Sequence, residues 1–303
     1  MSEALYEYLE SLVGAENILL HEPMSNHTTF KVGGPAKYFV TVSTIEQLVK
    51  IIKCLRQMER DFFILGNGSN ILVGDKGYDG VMITFGESLS KVDVLGQKVI
   101  AYAGASLAMV AKSAAKEGLQ GMEFASGIPG TIGGAIVMNA GAYGGEMKQV
   151  ITKVTVVTYD GEILEIDNDA MEFGYRTSAI KKRPFVVVSA ELLLQKGNVE
   201  EIQAKMSELN SRRREKQPLE YPSAGSTFKR PEGNFAGKLI MEAGLGGFRV
   251  GGAQISEKHC GFVINRDHAT AEDIKILMQT VKETVNDKFN VTLEPEIIMV
   301  GQF

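Results

Sequence analysis

The sequence contains few of the residues that mark several common protein classes. Its 303 residues include no tryptophan, eight prolines and only two cysteines, Cys54 and Cys260. These cysteines form no CxxC pair, so we expect neither a disulfide framework nor a cysteine-based metal cluster. His259 precedes Cys260, but the other histidines are scattered along the chain. We therefore predict no metal site and interpret this pair as packing or surface residues.

A large excess of one charge sign is also missing. The chain carries 32 lysines and arginines against 37 aspartates and glutamates, a formal net charge of −5. This mild acidity excludes a whole-protein surface for nucleic acid or for an anionic membrane. No apolar run approaches the roughly 18 residues that a membrane span needs, and Met1–Ala4 carries an acid where a signal peptide carries basic residues. We therefore expect a cytoplasmic protein without nucleic-acid or membrane partners. We also expect a monomer, although no feature of the sequence specifies the oligomeric state.

The apolar residues, 44% of the chain, suffice for a full hydrophobic core, and the length favours about two domains. Helical and strand periodicities alternate along the chain. The predicted helices are 45–55 behind Thr44, 106–118, 199–216, and 271–286 behind Thr270. The predicted strands are 62–65, 71–73, 99–103, the hairpin 154–166, 185–194, 251–255, 261–265 and 295–300. Because these elements follow no uniform βαβ register, the predicted fold class is α+β with mixed sheets.

What the sequence does contain is glycine, at 33 positions, with two clear clusters. The first cluster, Gly66-Asn67-Gly68-Ser69-Asn70, directly follows a predicted strand. Ile71 stands where the third glycine of a dinucleotide fingerprint belongs, and a strand rather than a helix follows, so a Rossmann site is not favoured. Consecutive N–H groups in a tight turn can still hold a phosphate. A simple hairpin turn is the alternative.

The second cluster runs from Gly127 to Gly145 and interleaves its glycines with apolar residues such as Ile132 and Ile136. A flexible linker would be polar and rich in serine. The pattern therefore indicates ordered backbone that lies close to a ligand, and stacked structural turns are the alternative. Neither cluster has the order GxxxxGK[ST], so hydrolysis of a nucleoside triphosphate is not expected.

Six segments together resemble one enzyme family, the UDP-N-acetylenolpyruvoylglucosamine reductases. The segments are Asn26–Ala36, Gly66–Val73, Gly127–Gly134, Tyr175-Arg176, Gly225–Pro231 and Leu293–Ile297. The resemblance implies an FAD-binding fold of the vanillyl-alcohol-oxidase or PCMH type. It implies two α+β subdomains with mixed sheets, 1–83 (completed by 297–303) and 84–205, followed by an α+β substrate-binding domain at 206–296. The tyrosine-bearing insertion of one subtype has no obvious counterpart, so the sequence resembles the shorter, second subtype.

The resemblance also implies an activity. Members use NADPH, through bound FAD, to reduce UDP-N-acetylglucosamine enolpyruvate to UDP-N-acetylmuramate, a peptidoglycan precursor. It assigns Ser226 as proton donor, with Arg176 and Glu296 supporting the enolic intermediate. It assigns cofactor binding to Gly66, Asn67, Gly68, Ser69, Asn70, Ile71, Gly127, Ile128, Pro129, Gly130, Thr131, Gly133, Gly134, Asn139, Gly141 and Ala142. It assigns substrate binding to Arg213 and Lys229.

Without the resemblance, these residue types have simpler interpretations. A serine in a glycine turn is usually structural, an arginine such as Arg176 usually forms a surface ion pair, and a glutamate at the start of a strand is usually solvated. The cations that surround Arg213 at the end of a charged helix are typical of a solvated face. Two other functions also stay open: a PCMH-type flavin oxidase acting on another small substrate, and a non-catalytic protein that binds a nucleotide sugar.

Overall fold

The computed structural model describes residues 2–303. The helices are α1 (Ser2–Val13), α2 (Ile45–Gln57), α3 (Leu107–Lys116), α4 (Ile132–Val137), α5 (Val199–Lys216), α6 (Ala236–Glu242) and α7 (Ala271–Phe289). The strands are β1 (Ile18–Pro23), β2 (Pro35–Val42), β3 (Phe62–Ile64), β4 (Ile71–Val73), β5 (Tyr78–Phe85), β6 (Val92–Leu95), β7 (Lys98–Tyr102), β8 (Leu119–Gln120), β9 (Gly141–Ala142), β10 (Gly145–Glu146), β11 (Ile151–Thr158), β12 (Ile163–Asp167), β13 (Phe185–Leu193), β14 (Gln195–Lys196), β15 (Arg249–Val250), β16 (Ala253–Ile255), β17 (Val263–Asn265) and β18 (Ile298–Val300).

The strands pair in both parallel and antiparallel directions. A four-stranded sheet has the order β1-β2-β5-β3, and its strands β3 and β5 are parallel. A five-stranded sheet has the order β12-β11-β13-β7-β6 and is antiparallel throughout. A three-stranded antiparallel sheet has the order β15-β16-β17, and β4 pairs in parallel with β18 near the C-terminus. This architecture confirms the predicted α+β class with mixed sheets.

The chain divides into two compact units. The first contains the chain up to Leu20 together with Tyr38–Gly66 and Gly80–Arg212, and the second contains His21–Lys37, Asn67–Asp79 and Arg213–Phe303. The boundaries of these units differ from those of the three domains expected from the resemblance, which remain a prediction.

Each unit has its own hydrophobic core. In the first unit, one core packs α2 against strands of the four-stranded sheet, through residues such as Ile51, Leu55 and Val81. A further core of the same unit packs α3 and α4 against the five-stranded sheet, with Ile136 and Val154 among its buried side chains. In the second unit, α6 and α7 pack on β16 and β17. Burial of these apolar faces supplies the main stabilising free energy of each unit.

Several local predictions are confirmed. Thr44 and Thr270 begin α2 and α7 with capping boxes. In each box, the threonine hydroxyl accepts from the N–H of the third helical residue, and the side chain of that residue accepts from the threonine N–H. Helix α5 has the predicted bounds, and β11 and β12 form the predicted hairpin.

Two segments differ from the predictions. The glycine-rich stretch contains α4, which was not predicted, and β18 covers only the last part of 295–300.

The described residues were searched for membrane-spanning helices and for groups of metal ligands. A membrane-spanning helix is not found among the helices of residues 2–303. In the same residues, no group of three or more histidine, cysteine, aspartate or glutamate side chains is arranged to hold a metal ion.

Candidate functional site

The first glycine cluster forms a loop between strands that pair with different partners. Strand β3 pairs with β5, and β4 pairs with β18, so the hairpin alternative is wrong. In the loop, the backbone N–H groups of Gly68, Ser69 and Asn70 donate to no acceptor within residues 2–303. Three consecutive N–H donors of this kind form an anion-binding nest. The loop therefore fits a diphosphate group such as that of FAD.

The position of Gly68 admits only glycine. Its φ is 60°, and a Cβ built on it would lie 2.1 Å from the carbonyl oxygen of His27. The Thr29 N–H also donates to the Gly68 carbonyl at 3.1 Å, and the buried Thr28 hydroxyl donates to the Val32 carbonyl at 2.8 Å. The segment that begins at Asn26 thus supports the loop. The resemblance included this segment but assigned no role to any of its residues.

The second glycine cluster is used differently by the first unit. Thr131 caps α4 by accepting from the Gly134 N–H at 3.4 Å. The next N–H groups of this turn are already occupied, because Ile132 donates to the Ala105 carbonyl and Gly133 to the Ala103 carbonyl, both at 2.9 Å. These donors are therefore not open to a phosphate.

Gly66 is the first residue of the first glycine cluster, and it lies against Thr131 of the second cluster. A Cβ on Gly66 would stand 2.6 Å from the Thr131 Oγ1 atom. This close approach explains why a side chain is missing at Gly66. It also brings two of the predicted cofactor residues together within one unit.

Asn139 connects the glycine-rich stretch to the loop that carries Arg176. Asn139 is 1% exposed, and its Nδ2 atom donates to Glu146 Oε2 and to the Gly174 carbonyl, both at 3.1 Å. Its Oδ1 atom accepts from the Lys148 N–H at 2.9 Å. These protein contacts occupy both N–H donors of the amide that the resemblance assigned to the cofactor.

Arg176 occupies a strained turn. Gly174 and Thr177 exchange two backbone hydrogen bonds across Tyr175 and Arg176, and Arg176 has a φ of 55°. A positive φ is uncommon for a residue with a long side chain, and such strain is concentrated at functional sites. The guanidinium donates to the Gly141 carbonyl at 3.4 Å, so Arg176 also contacts the glycine-rich stretch.

In the second unit, Ser226 and Glu296 lie on hydrogen-bonded segments. The Glu296 N–H donates to the carbonyl of Thr227 at 2.9 Å, and Lys229 donates its N–H to the Glu294 carbonyl at 2.8 Å. Ser226 is exposed, and its hydroxyl has no hydrogen-bond partner in the described part of the chain, whereas Glu296 is half-buried. The fold thus pairs the backbone segments that carry two predicted catalytic residues, which are 70 positions apart.

Further contacts fix these segments. The buried Thr227 hydroxyl accepts from the Val263 N–H at 2.9 Å, a role that no sequence signal indicated. The Asn70 side chain donates to the Glu296 carbonyl at 3.1 Å, and the Ile298 N–H donates to the Asn70 carbonyl at 3.0 Å. The anion-binding loop and the Glu296 segment are therefore directly joined within the second unit.

The predicted substrate cations have different surroundings. Lys229 Nζ forms an ion pair with Glu294 Oε2 at 3.0 Å, and both side chains are well solvated. Arg213 lies in the last turn of α5 and is half-buried.

His259 and Cys260 belong to the packing of the second unit. The His259 Nδ1 atom accepts from the Gly261 N–H at 3.1 Å, and its ring contacts Phe262 edge-on. Burial lowers the pKa of His259 and raises the pKa of the Cys260 thiol, so both stay uncharged at neutral pH. Of the two alternatives that the sequence left open, packing or surface, the structure favours packing.

The fold and the anion-binding loop define a class, the FAD-binding proteins of the VAO/PCMH type. In agreement, a family model described as FAD binding domain matches residues 36–167. A second model, described as UDP-N-acetylenolpyruvoylglucosamine reductase, C-terminal domain, matches residues 217–300. The chain belongs to the UDP-N-acetylenolpyruvoylglucosamine reductase family, and full-length relatives carry the same name.

Three of these relatives illustrate the similarity. The reductase of Caldanaerobacter subterraneus subsp. tengcongensis is 51% identical over 302 residues, covering 100% of both chains. That of Lachnoclostridium phytofermentans is 49% identical over 306 residues, covering 100% of this chain and 99% of the relative. The crystal structure of the reductase from Thermus caldophilus matches with a TM-score of 0.80 and 36% identity, covering 93% of this chain and 98% of that chain.

Proposed function

We propose that the protein reduces UDP-N-acetylglucosamine enolpyruvate to UDP-N-acetylmuramate with NADPH, in the cytoplasm, as a step of peptidoglycan precursor synthesis. The observation that carries the proposal is the pairing of the segments that carry Ser226 and Glu296, because it brings two residues that the resemblance assigns to catalysis into one part of the second unit. The names of the full-length relatives supply the substrate.

The cofactor assignment rests on the loop of the second unit. The open N–H groups of Gly68, Ser69 and Asn70 would bind the diphosphate of FAD without the help of a helix N-terminus. Bound FAD would pass a hydride from NADPH to the enol ether. A side chain at Gly66 would collide with the side chain of Thr131, and one at Gly68 would collide with the backbone of His27.

Ser226 would supply the proton. Hydride addition to one enol carbon leaves negative charge on its neighbour, which bears the carboxylate, and the product forms only when that carbon is protonated. The Ser226 hydroxyl is exposed and uses its donor for no other residue among 2–303, so it is available for this transfer. Because a serine hydroxyl is a very weak acid, its proton must be replaced from solvent or from a neighbouring group after each turnover.

Arg176 and Glu296 would support the enolic intermediate. A guanidinium presents two parallel N–H donors to a carboxylate and stabilises charge that spreads into the enolate. The strained turn fixes the direction in which Arg176 leaves the backbone. Glu296 is half-buried, so a hydrogen bond between its carboxyl group and the intermediate would be only partly exposed to competition from water.

Lys229 and Arg213 would bind anionic groups of the nucleotide sugar. The ion pair between Lys229 and Glu294 is solvated, and such pairs contribute only about 0–1 kcal/mol. A phosphate can therefore displace Glu294 from Lys229 at little cost.

The decisive experiment separates the two half-reactions in Ser226→Ala. The purified protein should bind FAD and show the visible absorption of oxidised flavin. In anaerobic stopped-flow measurements, NADPH should reduce the flavin of Ser226→Ala at the wild-type rate. Reoxidation by the enolpyruvyl substrate should slow roughly 10²–10⁴-fold, the usual contribution of general acid catalysis. Ser223→Ala, in the same segment, is the matched control and should resemble the wild type in both steps.

Three outcomes would contradict the proposal. Equal slowing of both half-reactions would show that Ser226 is not the proton donor. Reduced wild-type protein that reacts rapidly with oxygen but not with the substrate would identify an oxidase. A colourless protein that cannot be reconstituted with FAD would exclude both flavin enzymes and leave a nucleotide-sugar-binding protein.

A further inference from the structure

The three-stranded sheet of the second unit has one face that the core does not use. Ala253, Ile255 and Val263 point into the core with α6 and α7. Because side chains alternate along a strand, Gln254 and Ile264 point to the opposite face, where they pair with each other across the strands. Arg249 lies opposite Gln254 on the next strand, which makes a cross-strand row. A cavity of about 400 Å³ opens on this face, and we name it the sheet-face cavity.

Arg249, Lys258 and Arg266 give the sheet-face cavity three positive charges. Among the three, and within residues 2–303, only Lys258 has acceptors: its Nζ atom lies 3.6 Å from Glu220 Oε2 and donates to the Arg214 carbonyl at 2.8 Å. Lys258 and Glu220, which also lines the cavity, therefore largely neutralise each other.

Both guanidinium groups keep their donors open. The guanidinium of Arg266 lies over the Tyr221 ring, 4.4 Å from its centroid. Ring stacking holds the side chain but satisfies none of its N–H groups. Within residues 2–303, Arg249 and Arg266 donate to no carbonyl or carboxylate. Glu257 lines the same cavity with one unpaired carboxylate, so the two arginines leave an excess of positive charge.

A buried hydroxyl adds a further donor. Ser256 lines the cavity and is 2% exposed. Its Oγ atom accepts from the His259 N–H at 3.3 Å, while its own O–H donates to no acceptor in the described chain. The oxygen of this hydroxyl is therefore satisfied by the protein, but its O–H remains available to donate to an acceptor. A ligand oxygen in the cavity would supply it.

We propose that the sheet-face cavity is a second anion-binding site, which takes the phosphate group of a small metabolite. Two guanidinium groups with open in-plane donors match the oxygens of a phosphate bidentately. The volume falls within the roughly 300–1,000 Å³ of small-molecule sites and exceeds the need of a bare phosphate. None of the residues assigned to catalysis or to the UDP sugar lines this cavity. The site is therefore additional to the reductase site and does not depend on the proposed function.

The test uses the FAD-loaded full chain and inorganic pyrophosphate as the probe, by isothermal titration at low ionic strength with and without saturating UDP. Wild-type protein should bind one pyrophosphate in both conditions. Arg249→Gln should weaken this binding about tenfold or more, as loss of a charged hydrogen bond does, and Arg249→Gln with Arg266→Gln should abolish it. Arg183→Gln removes an exposed cation from the first unit and serves as the matched control with unchanged binding.

The proposal is overturned by wild-type affinity in the double variant or by the absence of saturable binding. It is also overturned if UDP removes the binding, because the probe would then occupy the substrate site. Tighter binding of citrate than of pyrophosphate would exclude a phosphate ligand. The Arg249 side chain is exposed and makes no hydrogen bond or ion pair in the described chain, so Arg249→Gln keeps the test valid even if the double variant unfolds.

Discussion

The loop Gly66–Asn70 and the stretch Gly127–Gly145 are both rich in glycine, yet their backbone N–H groups have different uses. In the loop, three consecutive N–H groups remain open. In the stretch, the first turn of α4 gives its N–H groups to Ala103, Ala105 and Thr131. The loop therefore leaves hydrogen-bond donors available to a ligand, whereas the α4 turn of the stretch uses its donors to hold neighbouring segments. Glycine content alone does not distinguish these uses, because both need backbone without side chains.

Gly68→Ala should have the largest effect. The new Cβ would meet the His27 carbonyl oxygen at 2.1 Å, and the φ of 60° is unfavourable for alanine. The backbone has to move, at a cost of roughly 2–5 kcal/mol in the free energy of unfolding. The movement would also redirect the three open N–H groups. We expect the purified variant to lack FAD, measured as flavin absorbance per protein, and to unfold at lower urea concentration. Full flavin content in Gly68→Ala would show that the loop does not bind the diphosphate.

The elements that could be predicted from sequence carry local signals. Helix α2 follows a threonine and has apolar residues at helical spacing, and the hairpin β11–β12 has strand residues around Asp160-Gly161. Helix α4 was missed because glycine is a poor helix former, although Thr131 as N-cap and the spacing of Ile132 and Ile136 were visible signals.

The candidate site was harder to predict from the sequence than the fold. The resemblance identified Ser226 and Glu296, but nothing local in the sequence indicates that their segments pair. Their proximity follows from the bridge between Phe228 and Pro295, which joins distant parts of the chain. The parallel pair β4–β18 is equally remote in sequence. Long-range pairing of this kind depends on how the whole core packs, and a single sequence does not report it.

Substitutions of Asn139 test whether the second glycine-rich stretch packs or binds a ligand, and we expect them to have an intermediate effect on stability. Asn139→Gly tolerates the φ of 41° and removes the hydrogen bonds to Glu146, Gly174 and Lys148. Unsatisfied buried partners should lower the free energy of unfolding by about 2–3 kcal/mol. Asn139→Ala, its matched control, should lose about 1 kcal/mol more because alanine disfavours this φ. Urea denaturation measures both values, and flavin content should stay high. Loss of FAD at unchanged stability would instead make Asn139 a direct cofactor ligand, as the resemblance assigned it.

Gly134→Ala should have the smallest effect and the opposite sign. Gly134 lies in α4, is exposed, and has ordinary helical backbone, and a Cβ there would meet nothing closer than Thr131 Oγ1 at 3.7 Å. Replacing a helical glycine by alanine stabilises a protein by roughly 0.5–1 kcal/mol, because glycine loses more conformational entropy on folding. We expect a slightly higher urea midpoint and an unchanged flavin content. The substitution is chemically identical to Gly68→Ala. A comparison of the two variants therefore separates the effect of the position from the effect of the residue type. If Gly134→Ala lost its flavin while its FAD-free form remained stable, the exposed face of α4 would contact the cofactor, and the second glycine segment would bind ligand as well as pack.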